Sequence, residues 1–380
     1  MHRITPFFCA FFLIVNSVLA IDFSRINVAW QYNLSAPVQM AHRVVTVDDD
    51  LVVFLKVKLD SSKWKYAFLL QEKYETEEHR EFSPSAIDTI STQGTEILIK
   101  LQFGVPKEDL MVIKIFRYET YLYYDIPIKI GSLMYPSVYP VTSDGVPILE
   151  NHINRSGHYW KNNEYYFSMR YPAPIGIPDP PMADMKPLAP NIQKDSSFTF
   201  TDSASFADSY FYTVMGDSGA ATGVTMLKVP PYFPEYRQLP ELVTCMFYLT
   251  SESEKKKLLS SKDLKRDFDS FWVNNFSTKP RARNAIRKYY NSVERANRLF
   301  TDFSAGWSTD RGMVYIVYGP PVEVYRTTGL EEWYYTGGSL FEFSVISSFF
   351  SPRTYALRRS KAMEEGWYRQ IAAIRRGINE

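Results

Sequence analysis

The chain has 380 residues, with 43 Lys and Arg against 42 Asp and Glu, so bulk attraction to nucleic acid or to an anionic membrane surface is not expected. That length allows two or three domains with cores of their own. Only Cys9 and Cys245 occur, which excludes a disulfide framework, and the 16% aromatic residues suit large β-surfaces.

Met1-His2-Arg3 is basic, Ile4 to Val15 is apolar apart from Thr5 and Pro6, and Val18 and Ala20 stand at the −3 and −1 positions of a cleavage site. Residues 1–20 therefore read as a secretory signal peptide. The apolar core is shorter than the roughly 20 residues a membrane helix needs. Ile21, not Cys, follows the cleavage point, so no lipoprotein anchor is expected. The mature chain is expected to lack a transmembrane helix and to sit in the periplasm or at the outer membrane.

Residues 21–130 have a period of two. Val28, Trp30, Tyr32 and Leu34 alternate with Ala29, Gln31 and Asn33; Leu51, Val53, Leu55 and Val57 share a face; Ile97, Ile99, Leu101 and Phe103 repeat the pattern. Met111–Phe116 and Leu122–Ile130 continue it, with Pro127 marking an edge strand and Asp48-Asp49-Asp50 topping a hairpin. An antiparallel β-sandwich domain is predicted. Residues 131–250 read as a second β-domain, with strands at 165–169, 198–200, 210–215 and 243–249. Proline-dense loops interrupt it at 171–190 and 230–240. Cys245, on the strand face of Val243, Phe247 and Leu249, is expected to be a buried, inert thiol.

From residue 251 to 380 the pattern becomes mixed, a helical segment followed by an α/β (α+β) module. Leu264, Phe268, Phe271 and Trp272 make one helical stripe; Ile286, Tyr289, Val293, Ala296 and Phe300 make a longer one that Gly306 would close. The outer face of that second helix carries Arg281, Arg283, Arg287, Lys288, Arg295 and Arg298. Asp310-Arg311-Gly312 reads as a turn and Met313–Tyr318 as a strand stopped by Gly319-Pro320-Pro321. Strands at 331–335 and 340–346 flank a Gly337-Gly338 hairpin turn. A terminal helix with Trp367, Ile371 and Ile374 ends at Gly377. The fold class expected is thus multidomain and mainly β, antiparallel sandwich domains followed by a C-terminal α+β module.

Gly306-Trp307-Ser308-Thr309-Asp310 is the densest positional signal in the chain. It resembles the signature after which the GWxTD domain family is named, with good agreement through Pro321 and looser agreement over residues 260–377. That resemblance implies an envelope protein of a Bacteroidetes-type bacterium and brings no assigned activity with it. The residues themselves read as a shaped corner: Gly306 stops a helix, Trp307 fills the space between helix and sheet, and Thr309 and Asp310 cap backbone amides. The competing reading puts Asp310 and Arg311 in a recognition or catalytic pocket.

No catalytic residue is assigned. The sequence has no Gly-x-Ser-x-Gly elbow and no phosphate-cradling glycine loop. After the leader, His42, His79, His152 and His158 are scattered, so neither a metal nor a cofactor is expected. The function read from this is non-enzymatic: a scaffold or subunit of an envelope or surface assembly, with other envelope proteins as partners. Arg283, Arg287, Lys288, Arg295 and Arg298 are the candidate partner-binding face. The alternative is an envelope hydrolase or glycan-binding protein acting on polysaccharide or peptidoglycan, through paired carboxylates or exposed aromatics.

Overall fold

The computed structural model describes residues 26–59, 64–71, 80–104, 110–130, 135–154, 159–174, 176–183, 192–276, 278–327, 329–347 and 350–377. The expected signal peptide, His79 and His158 lie outside the described residues. Among the described residues eight strands form the first unit: β1 Val38–Val47, β2 Asp50–Leu59, β3 Trp64–Gln71, β4 Arg80–Glu81, β5 Ala86–Gln93, β6 Glu96–Gly104, β7 Leu110–Arg117 and β8 Leu122–Lys129. They make two antiparallel sheets, ordered β1-β2-β6-β5 and β4-β3-β7-β8, with Pro127 on an edge strand. Alternate residues of both sheets, among them Val53, Leu55, Leu101, Ile113 and Ile126, close one core between them. The other face of β2 is buried too. Val52 and Phe54 pack with Leu98 and Leu149, which is why β2 reads as a nearly continuous apolar run. Asp48 and Asp49 turn the β1–β2 hairpin with φ of 48° and 66°, a left-handed pair that Asp tolerates.

The middle of the chain supplies β9 Tyr139–Val141, β10 His152–Ile153, β11 Tyr159–Lys161, β12 Tyr166–Pro172, β13 Ser196–Phe200, β14 Tyr210–Met215 and β15 Gly223–Lys228. A mixed sheet runs β10-β15-β14-β12-β13. Buried Arg43 ties this region to the sandwich, donating to the Ile148 and Glu150 carbonyls at 3.0 Å each and to Asn151 Oδ1 at 3.1 Å.

Among the described residues six helices follow or intervene: α1 Leu239–Cys245, α2 Glu252–Leu259, α3 Leu264–Phe276, α4 Lys279–Phe300, α5 Asp310–Tyr318 and α6 Glu364–Arg376. They pack against a four-stranded antiparallel sheet ordered β16-β17-β18-β20, from β16 Glu323–Arg326, β17 Leu330–Tyr334, β18 Leu340–Ser347 and β20 Thr354–Leu357, while β19 Phe350–Ser351 pairs with β15. Gly337 and Gly338, with φ of 89° and 83°, make the predicted turn between β17 and β18. Gly377 ends α6 in the left-handed region, as the sequence indicates. The protein is mainly β, with its helices concentrated toward the C-terminus.

Four expectations are corrected. Residues 243–249 are helical, not a strand. Pro240 sits in the first turn of α1, and Gln238 and Glu241 close a capping box around it. Cys245 is nonetheless fully buried, and burial raises its thiol pKa. Val28–Leu34 is not a strand either. Ala29–Tyr32 form a 3-10 turn, and the Val28 amide donates to the Val324 carbonyl in β16. Gly306 does not stop α4, which ends at Phe300. Finally, Asp310-Arg311-Gly312 is the first turn of α5, and Met313–Tyr318 is helix. Gly312 through Val317 are all buried, so this helix has no polar face, and an apolar run of that length cannot be told from a buried strand by periodicity. What decides it is the Thr309 hydroxyl, which accepts the Gly312 amide at 3.0 Å and caps the helix.

Candidate functional site

The corner joining α4 to α5 is built on two close backbone approaches. A Cβ on Gly306 would lie 2.0 Å from the Ala296 carbonyl oxygen, and one on Gly312 would lie 1.8 Å from the Gly306 carbonyl oxygen. Glycine is therefore required at both positions by contact, and φ plays no part. Thr301 secures the first approach, donating to the Asn297 carbonyl at 2.6 Å and accepting the Gly306 amide at 3.1 Å.

Trp307 then sits between α4, the 3-10 turn Met246–Leu249 and Tyr236, which precedes α1. Its amide donates to Asn297 Oδ1 at 3.0 Å, its indole N–H to the Tyr236 hydroxyl at 2.9 Å, and its carbonyl accepts the Tyr248 hydroxyl at 2.7 Å. The ring faces Tyr236 and Tyr248 edge-on. So Trp307 is a hub, but it joins α4 to residues 234–249 instead of to a strand. Asn297, 1% exposed, completes the hub by donating to the Pro234 carbonyl at 2.9 Å. Sequence reading missed it. The available signal was a polar residue four positions after Val293, inside the buried stripe. Trp307→Ala should cost about 3 kcal/mol by cavity formation, with the Tyr236 hydroxyl left unpaired. Equilibrium urea unfolding measures that loss, and a midpoint equal to the parent's would remove Trp307 from its role as hub.

Asp310 and Arg311 turn inward in opposite directions. Asp310 spans from α5 to the outer edge of β20, where Oδ2 accepts the Leu357 amide at 2.7 Å, and both oxygens take the Arg359 guanidinium, at 3.2 and 2.5 Å. Arg359 also donates to the Asp179 carbonyl at 3.0 Å, tying the proline-rich excursion to the corner. The Arg311 guanidinium lies 4.0 Å from the Tyr355 ring centroid and 5.2 Å from that of Phe300, and reaches Glu331 at 3.6 Å. Glu331 is fully buried. It accepts from Arg326 at 2.7 Å, the Trp333 indole at 2.7 Å and the Tyr32 hydroxyl at 2.9 Å. Burial alone would raise its pKa, but Arg326 and Arg311, with the Arg326 and Trp333 hydrogen bonds, outweigh it and hold the carboxyl below its usual range.

The chain contains a GWxTD domain. A family model described as the GWxTD domain matches residues 210–376, which takes in the whole corner. No curated protein matches the chain. The GWxTD domain begins at β14, well before residue 260, so strands β14 and β15 of the middle sheet belong to the match along with the helices. Within it, Gly319, with φ of 78°, ends α5, and its carbonyl accepts the Tyr335 hydroxyl at 3.0 Å. Pro320 and Pro321 follow and prevent the helix from continuing.

The basic side chains of α4 lie on its outer face, where Arg295 reaches the Tyr315 hydroxyl of α5. Arg283, Arg287, Lys288, Arg295 and Arg298 are exposed, and Arg298 pairs with Glu294 at 2.7 Å. Arg298 also borders a cleft of about 690 Å³ between the sandwich and α4, where Lys56 and Glu150 pair at 3.4 Å.

On the other side of the corner, Asp310 and Arg359 line a cleft of about 370 Å³ together with Asp302, Ser308 and Thr354. Asp302 is 4% exposed and accepts the Ser304 amide at 2.8 Å. Burial pushes its carboxyl up to about 6, against the opposing pull of the Ser304 amide and Arg311. A carboxyl whose folded pKa is raised destabilises the fold when ionised. Asp302→Asn should therefore stabilise the protein by about 1–3 kcal/mol at neutral pH. The gain is full above the folded value of about 6 and disappears as pH falls toward the unfolded value of 3.8. Thermal unfolding of both proteins across that range checks it; a gain that persists below 3.8 would mean that charge burial is not its origin.

Proposed function

We propose that this protein is an exported, non-enzymatic component of a Bacteroidetes-type cell envelope, a scaffold or subunit in the periplasm or at the outer membrane that joins a surface assembly of other envelope proteins. The observation that supports this most is how the signature is spent. Trp307, Thr309 and Arg311 direct their polar groups to neighbours within the fold, as does Asp310 toward Leu357 and Arg359. The GWxTD signature therefore shapes a rigid module, and the exposed chemistry of the domain lies elsewhere, on the basic face of α4.

The test is affinity isolation of the tagged protein from its native envelope, beside an Arg283→Glu/Arg287→Glu variant. Both side chains are exposed, so the variant should unfold within about 0.5 kcal/mol of the parent. A subunit that co-purifies at fixed stoichiometry with the parent and is lost from the variant supports the assembly reading. Isolation of a monomer from an intact envelope extract would defeat it. The glycan-binding alternative is favoured by a different surface: Tyr118, Tyr121 and Tyr123 are 46%, 78% and 62% exposed around Phe116 at the β7–β8 hairpin. Retention on an immobilised envelope polysaccharide, lost on replacing these tyrosines by serine, would move the function to that hairpin.

A further inference from the structure

We infer that the cleft beside the Gly306–Asp310 corner binds a small ligand through a primary ammonium group. Two buried polar groups point to a ligand. Thr354, 4% exposed, lines the cleft, and its buried hydroxyl oxygen has no hydrogen-bond partner among the described residues. Buried hydroxyls normally find one, so this oxygen is a vacant position in a hydrogen-bonding pattern. Asp302, equally buried, offers a carboxylate to the same cleft, and among the described residues no cation forms an ion pair with it.

The chemistry of the remaining lining selects a donor. Arg359, the cation of the cleft, is closed onto Asp310. The Ser308 hydroxyl already donates to the Ala305 carbonyl at 2.8 Å, so it faces a newcomer with lone pairs. Asp179, Asp302 and Asp310 all line the cleft, so an anion would meet acidic residues and no uncommitted cation. An ammonium brings three N–H donors and no acceptor, matching the Asp302 carboxylate and the Thr354 and Ser308 oxygens. A neutral hydroxyl also fits sterically, but it brings no charge to offset that of the buried Asp302 carboxylate. Pro174, Ile177 and Pro178 give the opposite wall an apolar surface for the carbon body of the ligand. The volume suits a ligand of about monosaccharide size, near the lower end of small-molecule sites.

This inference is independent of the assembly reading, because it concerns the opposite side of the corner from the basic face of α4. Calorimetric titration of the full chain with ethanolamine and with D-glucosamine tests it, against ethylene glycol and D-glucose as neutral counterparts. Both amines should bind about tenfold or more tighter than their counterparts. If D-glucosamine alone binds, the ammonium is recognised on a sugar ring; if ethanolamine binds equally, the ammonium suffices. Asp302→Asn should abolish amine binding although the protein melts higher. Thr354→Val should weaken binding while the free protein melts no lower, since the change removes an unpaired hydroxyl and keeps the shape. Equal affinity for D-glucose and D-glucosamine, amine binding that survives Asp302→Asn, or no heat from either amine at millimolar concentration would each overturn the inference.

Discussion

Alanine at Gly312 is expected to unfold the C-terminal module, although it adds one carbon and improves helix propensity. On propensity alone the change within α5 would stabilise by about 1 kcal/mol. The new Cβ, however, would lie 1.8 Å from the Gly306 carbonyl oxygen and 2.8 Å from its carbon. Neither partner is a flexible side chain, so α5 as a whole has to move away from the Gly306–Ser308 turn. That movement breaks the Thr309 bridge, which donates to Gly306 at 2.8 Å and accepts from Gly312 at 3.0 Å, and it opens the core around Met313 and Val314. The expected loss is about 4 kcal/mol or more, in the range where single substitutions are diagnostic. Gly306→Ala should behave alike, since its Cβ would lie 2.0 Å from the Ala296 oxygen and 2.7 Å from the Asn297 Cα. Gly319→Ala is the control. It sits at φ 78° and ψ −164° with open space around the added carbon, so its cost is backbone strain alone, about 1–3 kcal/mol. Chemical denaturation of the three variants ranks them. A Gly312→Ala protein no less stable than Gly319→Ala would show that the corner yields easily.

Glu331→Gln should cost about 3–5 kcal/mol, because it leaves the largely buried Arg311 and the partly buried Arg326 guanidiniums around a neutral amide. The carboxylate is the anion held between Arg326 at 2.7 Å and Arg311 at 3.6 Å, and the aromatic rings of Tyr355, Phe300 and Tyr32 take the excess positive charge on their faces. Removing Arg311 as well, in Glu331→Gln/Arg311→Leu, should recover part of the loss, since one buried charge no longer needs a partner. The pH dependence has a fixed sign. A carboxyl held below its ordinary 4.5 contributes stability that is complete above that value and is lost as pH falls through the lower folded value. The wild type and Glu331→Gln should thus converge in acid. A difference that stays constant across that interval would mean that shape, not charge, carries the effect.

The first sandwich was legible because each of its sheets has an alternating inner face, and Asp48-Asp49 and Pro127 mark a turn and an edge. The hairpin at Gly337-Gly338 and the end of α6 at Gly377 were legible for the same reason: local chemistry decides them. α1 and α5 were not. α5 is short and buried, so period gives way to uniform apolarity, and α1, at seven residues, is too short to show a helical period. The deciding residues, Gln238 with Glu241 and Thr309 with Gly312, are caps that look like ordinary loop chemistry beside β-branched runs. Gly306 was recognised as special, but a glycine needed for contact looks the same in sequence as one needed for positive φ. The Asp302–Thr354 cleft could not be read at all, since its two buried polar groups lie far apart in the chain and meet only once β20 is in place.

The 3-10 turn Ala29–Tyr32 carries a consequence in time. Tyr32 donates to Glu331 and its carbonyl accepts from Tyr315, so the start of the described chain is completed by residues near its end, 299 positions away in the first case. At about 5–20 residues per second of synthesis, Tyr32 waits roughly 15–60 s for that partner to exist. The sandwich strands can pair during the interval, but Ile26, Val28 and Tyr32 cannot find the core in which they end up buried. A chain broken off before β17 therefore displays an apolar segment at its beginning, and the integrity of the far end becomes readable at the near one by any protease or chaperone that recognises it.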